Sequence, residues 1–153
     1  MKNGQYLLLS ALSALLCAFA LTDFNYGILP WFSLAPFLFA LGRGKMARGA
    51  LNGFIFGYVY GLVSFYWLPL TEGVSYFQFL LLIVPIFSSF YLLYGLFYSP
   101  ILFVLGRWMI VVGPALWVSI EYARANFFFL ALPWNFLSHS QVHFTTLIQT
   151  ADI

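Results

Sequence analysis

Apolar residues run along this chain in long blocks, and its few charges fall between them. A helix needs about 20 apolar residues to cross the hydrocarbon core of a bilayer, so each block is a candidate span. The first, Tyr6 to Leu21, is broken only by Ser10 and Ser13, and Asp23, Asn25 and Gly27 after it read as a turn. The second, Ile28 to Leu41, is short and carries Pro30 and Pro36, which predicts a tilted or partly re-entrant helix. Arg43, Lys45 and Arg48 follow, with Gly42 and Gly44 as breakers. The third block, Ala50 to Leu70, stops at Thr71-Glu72-Gly73. The fourth, Tyr76 to Leu105, is long for one crossing and contains Pro85 and Pro100. It predicts either a kinked, tilted helix or an interfacial stretch leading into a shorter one. The fifth, Trp108 to Tyr122, is interrupted by Gly113-Pro114. Beyond it, Ala125 to Leu137 is aromatic but holds Asn126, Pro133 and Asn135, and reads as interfacial; Ser138 to Ile153 resembles a loop or half-helix.

The expected fold is therefore all-α and integral to a membrane, a helical bundle of about five transmembrane helices, some short or proline-kinked. The spans are placed at 6–21, 28–41, 50–70, 78–105 and 108–122. Residues 1–124 form the transmembrane domain, and residues 125–153 a periplasmic or interfacial segment.

Composition removes the competing classes. Hydrophobic residues make up 63% of the 153, aromatics 22% and charged residues 7%. A soluble domain is about a quarter charged, and disordered chains are poor in aromatics, so neither class fits. The net charge of +2 comes from six scattered Lys/Arg against four Asp/Glu, which argues against nucleic acid as a partner. The positive residues also orient the bundle. Lys2, the Arg43/Lys45/Arg48 cluster and Arg107 fall on one side if each block crosses, and Asp23 and Glu72 on the other. Cytoplasmic loops collect Lys and Arg, so the N-terminus is expected inside and the end of the fifth span outside. Trp31, Trp67, Trp108 and Trp134 lie near span ends, where an indole prefers the interface. Ala18-Phe19-Ala20 resembles a signal-peptide cleavage site, but four further spans make an uncleaved first helix the simpler case.

Little catalytic chemistry is legible. Cys17, the single cysteine, lies among Leu and Ala, where a thiol is inert. His139 and His143 share a helical spacing but have no carboxylate or third His close in sequence, so neither a metal nor a cofactor is expected. Gly53, Gly57 and Gly61 recur every fourth residue, a flat helix face that serves intramolecular packing or, less simply, a dimer contact. Glu121 and Arg124 stand three apart, so on a helix they share a face and can pair. Either they are a structural salt bridge, or they serve a lipid headgroup or line a substrate cavity.

The order of motifs resembles the N-terminal membrane part of the apolipoprotein N-acyltransferase family. Four stretches carry the likeness: Leu29-Pro30-Trp31-Phe32-Ser33-Leu34-Ala35-Pro36-Phe37-Leu38; Gly53-Phe54-Ile55-Phe56-Gly57 with Phe65-Tyr66-Trp67-Leu68; Pro114-Ala115-Leu116-Trp117 with Glu121-Tyr122-Ala123-Arg124; and Leu132-Pro133-Trp134-Asn135 with Ser140-Gln141 and Leu147-Ile148-Gln149-Thr150-Ala151-Asp152. Ala125 stands where the family usually has Gly, and His139 where it usually has Tyr.

The resemblance implies acyl transfer from a phospholipid to the N-terminal amine of diacylglyceryl-cysteine in lipoproteins, in the bacterial inner membrane. The family's nitrilase-like domain with its Glu-Lys-Cys triad, whose Cys carries the acyl group as a thioester, is expected to be missing after Ile153. The chain alone is then expected to be inactive, with no catalytic residue of its own. Its part would be the lipid-facing half, and Glu121, Arg124, Trp134, Asn135 and Gln141 are the candidates for the lipid entrance. A non-enzymatic polytopic subunit, such as a transporter component or assembly partner, remains the alternative. The prolines fit a transporter loosely, while the lack of an internal repeat does not.

Overall fold

The computed structural model describes residues 3–21, 28–42, 45–127, 131–142, 144, 146 and 149. Seven α-helices appear in them: α1 (Asn3–Ala20), α2 (Pro30–Ser33), α3 (Ala35–Gly42), α4 (Met46–Ser64), α5 (Tyr76–Gln78), α6 (Val84–Leu105) and α7 (Met109–Asn126). The protein is an all-α membrane bundle. Three stretches are long and apolar enough to cross a membrane: Asn3–Ala20, Met46–Leu70 and Tyr76–Asn126.

The last of these is two helices folded on one another. Tyr94 and Trp117 pack edge to face at 5.2 Å, and Tyr91 lies 5.5 Å from Trp117. Tyr98 sits against Gly113, and Arg124 over Phe87. Residues that meet thus climb α7 as they descend α6, which makes an antiparallel hairpin. Its turn is one 3₁₀ stretch, Gly106–Trp108, and Gly106 takes the φ of +52° that closes it. Glycine reaches that region without the steric cost of a Cβ. The second block is likewise divided, into α2 and α3 with a turn at Leu34, and forms a short, broken apolar helix.

The fourth block is one helical run with a change of winding near its start. Helix is continuous from Tyr76 to Leu105, opened by a capping box in which Ser75 and Gln78 bond reciprocally. Phe79–Ile83 then forms a π-helical turn that ends one residue short of Pro85. A proline cannot donate to the preceding turn and crowds it, and the wider π turn relieves both.

α4 and α6 make the central contact, also antiparallel. Gly49 faces Gly95 and Ser99, Gly53 faces Tyr91, Gly57 faces Ser88, and Gly61 faces Phe87. Small residues let two backbones approach where no hydrophobic effect drives them together. The glycine face of α4 is therefore covered within the chain, and its stripe begins at Gly49, one turn earlier than the three glycines singled out from the sequence.

α3 lies beside this pair, parallel to α6: Phe37 stacks on Phe56 at 4.4 Å and nears Tyr94, and the Ser99 hydroxyl donates to the Leu41 carbonyl at 2.9 Å. α1 is tied in by polar groups. The Ser10 hydroxyl donates to Asn52 Oδ1 at 2.9 Å, Ser13 donates to the Ser33 carbonyl, and the Cys17 thiol to Ser33 Oγ at 3.1 Å. α1 thus runs parallel to α4, from the start of α4 toward the start of α3. α1, α3, α4, α6 and α7 alternate in direction along the chain, and the end of α7 lies at the same end of the bundle as the end of α4.

The core is aromatic. Phe56, Tyr60, Phe87, Tyr91, Tyr94 and Trp117 form one connected set of tilted and edge-to-face contacts. Large apolar side chains are at least as prominent outside: Phe103 is 92% exposed and Ile110 82%. Such a surface fits hydrocarbon, because water would drive it to aggregate.

Candidate functional site

Polar side chains from four elements converge where α7 ends. The chain turns back after α7, and the Leu132 amide donates to the Arg124 carbonyl at 2.9 Å. The Arg124 guanidinium is fully buried and donates through one terminal nitrogen to the carbonyls of Leu132 and Trp134, both at 2.7 Å. Its other terminal nitrogen reaches the Asn135 carbonyl at 3.5 Å. The rings of Phe87 and Phe136 lie on it at 5.0 and 4.8 Å. A planar cation suits this place: two ring faces, converging carbonyls and the negative end of the α7 dipole all favour it.

Asn135 completes the clamp. It holds a φ of +56°, which asparagine tolerates better than most residues. Its carbonyl accepts from the Tyr60 hydroxyl at 2.8 Å, and its side-chain amide donates to the Ser64 carbonyl at 3.3 Å. Trp134 lies against Trp67 at 5.7 Å, near the end of α4. The segment 132–136 is thus fastened to α4 and α7, and Arg124 links it in turn to Phe87 of α6.

Glu121 does something different. Its carboxylate accepts from the Leu137 amide at 2.9 Å, and the buried indole N–H of Trp117 lies beside it without reaching hydrogen-bond geometry. The shared-face ion pair that the spacing of Glu121 and Arg124 allows is not formed among the described residues. The guanidinium turns to backbone carbonyls, because a coil that folds back over a helix end brings more acceptors than one carboxylate. Arg124 is also shut away from any headgroup phosphate in this conformation.

Beside the clamp opens a groove of about 530 Å³ between α2, α3, α6 and α7. On α7 it is lined by Met109, Gly113, Pro114, Trp117, Val118 and Glu121, one helix face. Leu34, Leu38, Tyr94 and Tyr98 are among the residues opposite, and Leu137, Ser138 and Gln141 close the end next to Glu121. The groove is polar at that end and apolar along the rest. From Met109 to Glu121 it extends about 18 Å at 1.5 Å per helical residue.

The five entrance candidates therefore separate. Glu121 and Gln141 line the groove, whereas Arg124, Trp134 and Asn135 build the clamp that holds its polar end. Tyr60, Ser64, Phe87 and Phe136 belong to the clamp and were not singled out from the sequence. They lie in apolar runs, where nothing local distinguishes a clamping aromatic from a packing one. His139 stands edge-on to Phe136 at 5.0 Å, and His143 lies outside the described residues.

Fold and groove together define a class: a helical membrane protein with a largely apolar groove between its helices. The comparisons with known proteins give the family. The family model described as the apolipoprotein N-acyltransferase N-terminal domain matches residues 13–153, and the chain belongs to that family. It is similar to the apolipoprotein N-acyltransferase of Geobacter metallireducens, with 28% identity over 152 residues, 95% of this chain and 29% of that protein. It is also similar to the enzyme of that name from Thermotoga maritima, with 46% identity over 71 residues, 44% of this chain and 14% of that protein. The chain thus spans less than a third of the length of these relatives. No solved structure matches it with comparable significance.

Proposed function

We propose that this chain is the membrane part of an enzyme that moves an acyl chain from a phospholipid to the N-terminal amine of diacylglyceryl-cysteine in lipoproteins. The observation that carries this reading is the groove beside α7, polar at one end and apolar for the depth of a lipid tail. An acyl chain leaves a bilayer only at about 0.8 kcal/mol per CH₂, so the protein brings its site to the lipid. Glu121, Ser138 and Gln141 meet the polar part of the lipid, and the clamp of Arg124, Trp134 and Asn135 holds them in place.

The transfer itself runs through a cysteine thioester on a nitrilase-like domain that this sequence does not include. Cys17 does not serve as that thiol: it is buried in α1 against Ser33. Residues 1–124 constitute the membrane unit, and the segment from 125 onward leads out of it. The membrane is the bacterial inner membrane, with the N-terminus cytoplasmic and the groove's polar end periplasmic.

Two measurements test the proposal. Joined to its downstream coding region and reconstituted with phospholipid, the protein should acylate a diacylglyceryl-cysteine peptide, whereas the 153 residues alone should not. Activity in the short chain, or none in the long one, would refute it and favour a non-enzymatic subunit. Separately, alkaline phosphatase fused after Ile153 should be active in cells, and green fluorescent protein fused at the same place should stay dark. The opposite pair of signals would invert the orientation.

A further inference from the structure

Among the described residues that line the groove, Glu121 alone bears a formal charge. Its Oε1 accepts from the Leu137 amide at 2.9 Å, and no donor among the described residues reaches its other oxygen. Arg124, the nearest cation in sequence, is not part of the lining and gives its terminal nitrogens to backbone carbonyls. His139 is exposed and lies against Phe136. An anion in apolar surroundings is costly unless a cation pairs with it. Here that cation has to arrive with the ligand.

A second unmet group stands one turn away. Trp117 lines the groove and is only 6% exposed, yet its indole N–H has no hydrogen-bond partner. A buried donor left unpaired costs free energy, so it calls for an acceptor. Positions 117 and 121 share a helix face, about 6 Å apart along the axis at 1.5 Å per residue. Followed along α7 from its end, the groove presents a carboxylate, then a donor for an oxygen, then the apolar wall of Val118, Pro114 and Met109. A matching amphiphile has the same order: an ammonium, an oxygen a few bonds further on, then hydrocarbon.

We propose that Glu121 is the counter-ion of a primary ammonium on the amphiphile in the groove, and that Trp117 donates to an oxygen beside that ammonium. A primary ammonium gives its N–H directly to a carboxylate, a charge-assisted bond. A trimethylated headgroup has no N–H to give, and an anionic one sets like charges together. Two amphiphiles carry the required chemistry: an ethanolamine phospholipid and a lipopeptide with a free N-terminal amine. This rests on the groove being the lipid site, so the test separates the two claims.

The probes are phosphatidylethanolamine, phosphatidylcholine and phosphatidylglycerol, alike in carrying a photoactivatable diazirine midway along one acyl chain, in phosphatidylcholine bilayers containing the full chain. Labelled residues are read by peptide mass spectrometry. The ethanolamine probe should label Leu38, Tyr94 and Trp117 about tenfold more than the other two, the low end for a charge-assisted hydrogen bond. In Glu121→Gln, which keeps an acceptor for the Leu137 amide, its label should fall to their level. Labelling of outward residues alone, by every probe, would overturn both the lipid site and the counter-ion. Equal groove labelling by the three headgroups, or a preference that Glu121→Gln leaves unchanged, would overturn the counter-ion and spare the site. If Glu121→Gln does not fold, the three headgroups in the unaltered protein decide. Unlabelled competitors identify the source. Displacement of the ethanolamine probe by a diacylglyceryl-cysteine peptide with a free amine, and not by its N-acetylated form, assigns the seat to both amines. Displacement by neither assigns it to the phospholipid. Equal displacement by both would overturn the proposal, since an ammonium would not then be what is recognised.

Discussion

Gly53→Leu should abolish folded protein, and even Gly53→Ala should lower its stability by about 3 kcal/mol, the upper range for overpacking a core. A Cβ on Gly53 would lie 2.0 Å from the Tyr91 carbonyl oxygen and 2.8 Å from its carbon. Both are backbone atoms, so no rotamer change relieves the clash and α4 must move away from α6. That movement reaches the whole contact, because a Cβ added at Gly49 or Gly95 would meet the other's carbonyl oxygen at a similarly short distance. The Tyr91 and Phe56 rings, which carry Trp117 and one wall of the groove, would shift with it. Thermal unfolding in detergent and yield of monodisperse protein measure the effect. Gly4→Ala is the control: a Cβ there has open space, and the change should leave both readouts unaltered. Gly61→Ala should fall between, since the nearest atoms to its methyl belong to the side chains of Phe87 and Val84, which can shift as backbone cannot.

Arg124→Met should cost about 3 kcal/mol or more, from two short charged hydrogen bonds at about 1.5–3 kcal/mol each. Methionine fills the slot between Phe87 and Phe136 but leaves the carbonyls of Leu132 and Trp134 without donors. Limited proteolysis should then cut within 131–142 at protease levels that spare the unaltered protein. Arg124→Lys should recover only part of the loss, because a single ammonium cannot lie flat between two rings and reach both carbonyls. Equal resistance of all three proteins would show that the clamp does not depend on the guanidinium.

The contrast between these two sites shows what a sequence can announce. Gly53, Gly57 and Gly61 declare a close helix contact because the required property, absence of a side chain, is visible in the residue type. Their partner helix is not visible, and neither is Gly95, which stands alone in its own run. The membrane character follows from hydropathy, which is local. The division of the second block into α2 and α3 goes with its prolines, Pro30 and Pro36. Arg124 is the opposite case. A buried cation three residues from a carboxylate invites a pairing, yet its acceptors are backbone carbonyls eight to eleven residues further on. Every residue has a carbonyl, so no composition or spacing marks which ones a folded-back coil will present. The groove is hidden for a related reason: Met109, Gly113, Trp117 and Glu121 line one face of a helix whose other faces are just as apolar.

The clamp at Asn135 also acts as an anchorage. Anything carried downstream follows a segment that is bonded to α4 and α7 around Asn135. Under the proposed function, a catalytic module attached downstream would meet a lipid in the groove at an effective concentration set by the length and stiffness of its connection. The rate of such an enzyme would be governed by how the module is aimed, and lengthening the chain just after Gln141 would slow it without altering a single reacting group.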